Sequence, residues 1–355
     1  MITETHSALH PNQLKITPLR LAAFWAFFEA APGGILHALK IPFRGLLLTS
    51  VSVLSIVLIA YYSKKNQEIL KSLLIVLIIK GIVSPHSPVT AYLALTLQGL
   101  MGYLFFSTKR YFRTSALLLG VFGALFSGIQ KIFILTLIFG NTLWNSINIF
   151  SDYVISEVFG LSEVNFNLSI YLIGTYIIIH ILFGIFVGII SGKMPDKLTS
   201  KVSAIDSDEI IRAINWHKTP TREKGKYKSW WKRPTGLLVI FLSVAVVIIS
   251  YLNPEYNNNI IFEILFMLIR SVVLLGIWYY LLSPFLIKTF KRYINRRQSD
   301  YNYEVKRILN LLPVFRSVVG YTWDKVRNLR GLKKLKMFFG YSLLFLLIVQ
   351  NYIEE

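Results

Sequence analysis

From residue 20 to residue 352, long apolar runs alternate with polar breaks, most of them short. A helix needs about 20 mostly apolar residues to cross a hydrocarbon core of about 30 Å. Runs near that length fall at 20–36, 45–62, 69–84, 89–107, 115–139, 168–191, 235–252, 260–287 and 338–352. The pattern predicts an all-α, polytopic integral membrane protein of about nine transmembrane helices, arranged six plus three. The runs are continuous stretches of Leu, Ile, Val and Phe, not the alternating strands of about ten residues that build a membrane β-barrel. Backbone groups in lipid must be bonded within their own segment, so helices follow. The first 17 residues are polar and no small-residue cleavage site follows at once, so a secretory signal peptide is not expected.

Polar positions set the expected organisation. Composition changes sharply after Gly192. Residues 1–192 read as a six-helix membrane domain, 193–234 as a basic cytoplasmic linker, and 235–355 as a three-helix unit with a basic cytoplasmic segment at 288–336. Lys and Arg total 38 against 18 Asp and Glu, a net charge of +20. Of those 38, 11 fall in 193–234 and 14 in 288–336. Basic residues concentrate in cytoplasmic loops. An N-terminus inside and a C-terminus outside keeps both basic segments in, and leaves mostly acids outside: Asp152, Glu157, Glu163, Glu255, Glu354 and Glu355. The expected location is the inner (cytoplasmic) membrane, multi-pass.

Composition sharpens this picture. Apolar residues make up 54% and charged residues 16%, with mean hydropathy +0.55. A soluble domain carries about 25% charge. Cys is absent, which excludes disulfide scaffolds, Cys-based zinc or iron–sulfur ligation and a Cys nucleophile.

The first run places Ala22, Ala26 and Ala30 four apart, one smooth stripe on a helix. In lipid such stripes let another helix approach closely, within the same chain or from a partner. Pro32-Gly33-Gly34 then break the run, and His37, Lys40, Pro42 and Arg44 follow. The six-run unit, this stripe and the Pro/Gly-rich first loop resemble the substrate-binding S component of energy-coupling factor (ECF) vitamin transporters, over about residues 15–197. The sixth run, Ile170 to His180 and on to Gly188, Gly192 and Pro195, is similar in closing on a Gly-rich, basic exit. The resemblance implies that Ala22, Ala26 and Ala30 meet a transmembrane T component, and that a small vitamin-like solute binds near the outer face.

Polar groups inside a bilayer are costly unless partnered, which makes each a site candidate. Those in or near the first six runs are Glu29, His37, His86, Gln98, Gln130, Lys131, Asn141, Asn145, Asn148 and His180. Each has a plainer role open to it. His180, Gln98 and Gln130 suit helix-to-helix hydrogen bonds. Trp144 and Tyr153 suit an interfacial aromatic belt, and Lys40 and Arg44 suit headgroup contacts. The 140–167 stretch has the spacing of an amphipathic helix over the outer mouth.

In the second half, 284–336 is basic and amphipathic, with Pro313 expected to interrupt its helix. It reads either as helices on the anionic inner leaflet or, by resemblance to T-component coupling helices, as a dock for an ABC-type ATPase. The second reading carries Arg330 and Gly331 as docking residues, with Leu329 where the family has Ala. Walker-A, His-Glu-x-x-His and Gly-x-Ser-x-Gly motifs are absent, so no enzyme activity and no cofactor are expected. For basic segments next to spans the inner leaflet is the nearer polyanion, so no nucleic acid partner is expected. The expected function is a membrane uptake protein working with a separate ATPase. A lipid or isoprenoid enzyme using Asp206, Asp208, Glu209 and His217 and a non-transporting scaffold are the alternatives.

Overall fold

A computed structural model describes residues 16–38, 44–84, 87–158, 160, 167–202, 207–216 and 258–351. All regular structure among these residues is helical. The expected span 235–252, together with His86, Asp206 and His217, lies outside them.

The helices are α1 (Pro18–Ala38), α2 (Arg44–Tyr62), α3 (Gln67–Val83), α4 (Val89–Phe105), α5 (Phe112–Phe139) and α6 (Thr142–Tyr153). They continue with α7 (Leu168–Val202), α8 (Ser207–Ile214), α9 (Asn258–Ile277), α10 (Ser283–Gln298), α11 (Asn302–Lys325) and α12 (Gly331–Ile348). Wide π-type turns follow α6 at Val154–Val158 and join α9 to α10 at Trp278–Leu282. The chain divides into two units, one of residues 1–131, 173–218 and 283–355, the other of 132–172 and 219–282. These units interleave along the chain, whereas the sequence divides most visibly at 192 and 234.

In the first unit α1 is the central element, packed by α2, α3, α11 and α12. Pro18 opens α1, and the Thr17 hydroxyl accepts the Arg20 amide at 3.4 Å, satisfying one of the free donors of its first turn. Every residue from Leu21 to Ala30 is buried. The end of α4 is closed by side chains from elsewhere: Asn66 Nδ2 donates to Tyr103 O at 2.6 Å, and Ser115 Oγ to Phe105 O at 2.7 Å. These bonds occupy carbonyls that a helix end otherwise leaves without partners.

Among the described residues, three helices are long and apolar enough to cross a membrane: Gly45–Tyr62, Phe112–Phe139 and Leu168–Leu198. Val89–Phe105, Met267–Ile277 and Lys336–Ile348 are shorter apolar helices. The first three differ in their surroundings. Over half of α2 is enclosed by protein, whereas α5 and α7 leave most of their apolar surface uncovered, including Phe122, Phe133, Leu182 and Phe186. Glycines let α5 and α7 touch along their backbones. A Cβ at Gly188 would stand 2.7 Å from Leu117 Cα, and one at Gly184 would stand 2.6 Å from Gly120 O.

Three expectations change here. Pro32-Gly33-Gly34 do not break the first run, since α1 continues through them to Ala38. Pro313 does not interrupt its helix; α11 runs unbroken from Asn302 to Lys325 with Pro313 on its exposed side. A proline removes one backbone bond and crowds the preceding turn, and the buried face of Val305, Ile308, Leu312, Phe315 and Val318 holds the helix through it. The two ends of the first unit also meet. Gln350 Nε2 donates to Arg20 O at 3.3 Å, beside the start of α1. An inside start to α1 and an outside end to α12 would keep these residues on opposite faces. The reason is that residues 342–350 are buried throughout, so the end of the last apolar run is a core helix wrapped in protein.

In the second unit, α6 packs against α9. Arg270 and Ser271 of α9 serve the end of α5: Ser271 Oγ donates to Ile138 O at 3.2 Å and Arg270 to Leu137 O at 3.5 Å. A cation beside the carbonyl end of a helix is favourably placed.

Candidate charged site in the helical core

Within the apolar centre of the first unit lies a pair of opposite charges. Glu29 of α1 and Lys80 of α3 meet at 2.5 Å, Nζ to Oε2, with side chains 5% and 2% exposed. The other carboxylate oxygen accepts the Ser52 hydroxyl of α2 at 2.9 Å. Ser52 in turn accepts the Trp25 indole N–H of α1 at 3.1 Å. Four buried side chains from three helices thus form one chain of donors and acceptors. The Lys80 ammonium also stands 5.8 Å from the Tyr92 ring centroid, within cation–π range.

The order of these contacts follows from helix geometry. Trp25 and Glu29 are four apart on α1 and share a face. Ser52 sits opposite both, and α3, parallel to α1 after two reversals of the chain, brings Lys80 to the same level. One turn before Ser52 on α2, Thr49 accepts Gln98 Nε2 of α4 at 3.0 Å. Gly123 of α5 closes on this second pair: a Cβ there would stand 3.2 Å from Thr49 Cγ2 and 3.8 Å from Gln98 Cγ. Two polar layers therefore lie along one side of α2.

Chemically, the arrangement holds a carboxylate and an ammonium side by side, away from water. Removing charges from water costs several kcal/mol per ion, by order of magnitude, and their attraction repays it only when remaining hydrogen-bonding positions are filled. Ser52 and Trp25 fill part of that requirement here.

The other expected residues are more dispersed. Gln130 donates to Thr90 O at 3.3 Å, and Lys131 is exposed. His180 is buried on α7, its Nδ1 2.8 Å from Tyr176 O and its ring against Gly128. Asn141, Asn145 and Asn148 belong to the second unit. Asn148 accepts the Ser169 amide at 2.9 Å there, while Asn141 and Asn145 are exposed. His37 lies in α1, and its side chain, like all of His86, is outside the described residues. Ala22, Ala26 and Ala30 are all buried in this chain, whereas Arg330 and Gly331 are exposed at the α11–α12 turn. Of the acids considered for lipid chemistry, Glu209 is engaged by Lys325 and by the Tyr321 hydroxyl. Among the described residues, no three His, Asp or Glu side chains gather as a metal site would require.

Lys80, Ser52 and Trp25 were not among the expected residues. The signal for Lys80 was present: a lone cation inside the apolar run Leu73 to Val83, opposite in sign to the lone carboxylate of the first run. Serine and tryptophan carry no comparable signal, because both are common in apolar helices.

The chain matches no family model, no curated protein and no solved structure among known proteins.

Proposed function

We propose that this chain is a multi-pass protein of the cytoplasmic membrane, N-terminus inside, that binds a small polar solute for uptake at the Glu29–Lys80 layer. The single observation carrying the reading is the retention of a hydrogen-bonded ion pair where apolar side chains would pack as well. Replacing a buried ion pair by apolar residues of similar volume is often neutral or stabilising, so stability alone gives little reason to keep one. Charged residues inside membrane bundles are rare and mark paths for solutes, ions or protons. Glu29 was expected as a binding residue on sequence grounds, and its partners Lys80, Ser52 and Trp25 supply both donors and an acceptor for a polar ligand. The resemblance to S components adds a separate ATPase as the source of energy.

Mass spectrometry of small molecules retained through purification tests this. The wild-type protein is expected to carry a polar solute that Glu29→Gln and Lys80→Met both lose. A wild-type sample without bound solute, or an unchanged solute in both variants, would overturn the reading. Copurification of an ATPase from native membranes tests the energy source separately.

A further inference from the structure

The α11–α12 turn carries an exposed surface that neither the core site nor the solute reading uses. Residues 325–351 hold six Lys and Arg and no Asp or Glu. One of them, Lys325, is bound to Glu209 of α8 and lies 4.4 Å over the Tyr341 ring. Arg327, Arg330, Lys333 and Lys336 are exposed, and Asp324 is the acid next in sequence. Gly331 makes the turn with φ +60°, a conformation that costs glycine little and other residues more.

Two large aromatic rings stand out of the same surface, Trp323 at 44% and Phe339 at 48% exposed. Lys334 lies 4.4 Å over the Trp323 ring, which meets Phe338 edge-on at 5.2 Å. The apolar face of α11 is unavailable for any outside contact, since Val305, Ile308, Phe315 and Val318 are buried against the rest of the unit. What remains open is a basic tip with aromatic rings.

The position of the tip says what it meets. The apolar stretch of α7 ends at Leu198, and α7 itself at Val202. The chain enters α8 at Ser207, and Glu209 there is bonded to Lys325 at the base of the tip. The tip is thus fastened to the polar exit of a helix long and apolar enough to cross the bilayer. Aromatic rings with Lys and Arg at that depth match the membrane–water interface, where rings enter the headgroup layer and cations attract anionic lipid.

We infer that the α11–α12 tip docks on the anionic headgroup surface of the bilayer that holds α7. The inference requires a membrane protein and does not depend on solute binding. The chain has no native cysteine, so a nitroxide at Phe339→Cys is the sole label. Electron paramagnetic resonance then compares its accessibility to oxygen and to a water-soluble nickel chelate. The hosts are nanodiscs of phosphatidylcholine alone and of phosphatidylcholine with phosphatidylglycerol, and Asn310→Cys on the exposed side of α11 is the control. Expected are a shift of residue 339 toward the oxygen-rich side on adding phosphatidylglycerol and loss of that shift with Lys333→Glu, Lys334→Glu and Lys336→Glu combined. Position 310 is expected to stay water-accessible in both. Equal chelate accessibility of residue 339 in both lipid mixtures would overturn the inference. So would protection seen only after a purified ATPase is added. Unchanged circular dichroism of the triple variant separates loss of docking from loss of fold.

Discussion

Lys80 and Glu29 lie 2.5 Å apart between two parallel helices, on residues 51 positions apart in sequence. Each neutralises a charge that the apolar core would otherwise reject. Removing one partner is therefore expected to hurt more than removing both. Lys80→Met alone leaves a buried carboxylate, a cost of about 3–5 kcal/mol. Glu29→Leu with Lys80→Met is expected to regain most of that loss in thermal unfolding in detergent. A double variant as unstable as the single one would show that packing, not charge, dominates at these positions.

A second ion pair sets an acid limit on the first unit. Glu304 of α11 lies 3.0 Å from Lys71 of α3. Burial pushes the Glu304 carboxyl up, but hydrogen bonds from Lys71 and the backbone, with the Lys71 charge, outweigh it and hold the group below its usual 4.5. A carboxylate depressed on folding contributes stability above its unfolded value and loses it as pH falls through the folded one. Acid titration is thus expected to weaken protection of the first turn of α11 below about pH 4.5. Hydrogen exchange with Glu304→Gln, in which that acid step is missing, checks the assignment. The pair is partly exposed, so the effect is small.

The α5–α7 contact predicts a contrast between glycines. At Gly188 an added Cβ would stand 2.7 Å from Leu117 Cα and 2.8 Å from Ala116 O, backbone atoms that cannot move aside cheaply. Overpacking of this kind costs about 1–3 kcal/mol. Gly174, on the same helix, has nothing within 4 Å. Gly188→Ala is expected to lower the unfolding temperature, and Gly174→Ala to leave it unchanged or raise it slightly, since Ala favours helix over Gly.

Gly320 is where α11 receives the Trp216 ring, and a Cβ there would occupy the ring's place. Gly320→Ala is expected to expel Trp216 and free the end of α8. Faster amide exchange across 207–216, reproduced by Trp216→Ala, is the signature. Exchange that rises equally in α1 would instead point to general unfolding.

Much of this molecule was legible from one dimension. Long runs of Leu, Ile, Val and Phe predict helices because an apolar backbone must satisfy its own hydrogen bonds; α2 and α5 fall within a few residues of the runs at 45–62 and 115–139, and α7 starts with the run at 168–191 but continues to Val202. That Glu29 needs a partner was legible, because a carboxylate in such an apolar run is costly alone. The identity of the partner was not. Lys80 belongs to a different run, and only the parallel placement of α1 and α3 makes the two meet.

Hydropathy also could not distinguish the two kinds of apolar helix found here. Leu21–Ala30 of α1 and residues 342–350 are enclosed by protein, while α5 and α7 turn Phe122, Phe133, Leu182 and Phe186 outward. Lipid and protein interior are both apolar, and a methylene gains about as much from either. The sequence alone determined that these segments leave water and do so as helices. Tertiary packing decided which of them are covered by other helices and where two opposite charges meet, because both depend on contacts between residues far apart along the chain.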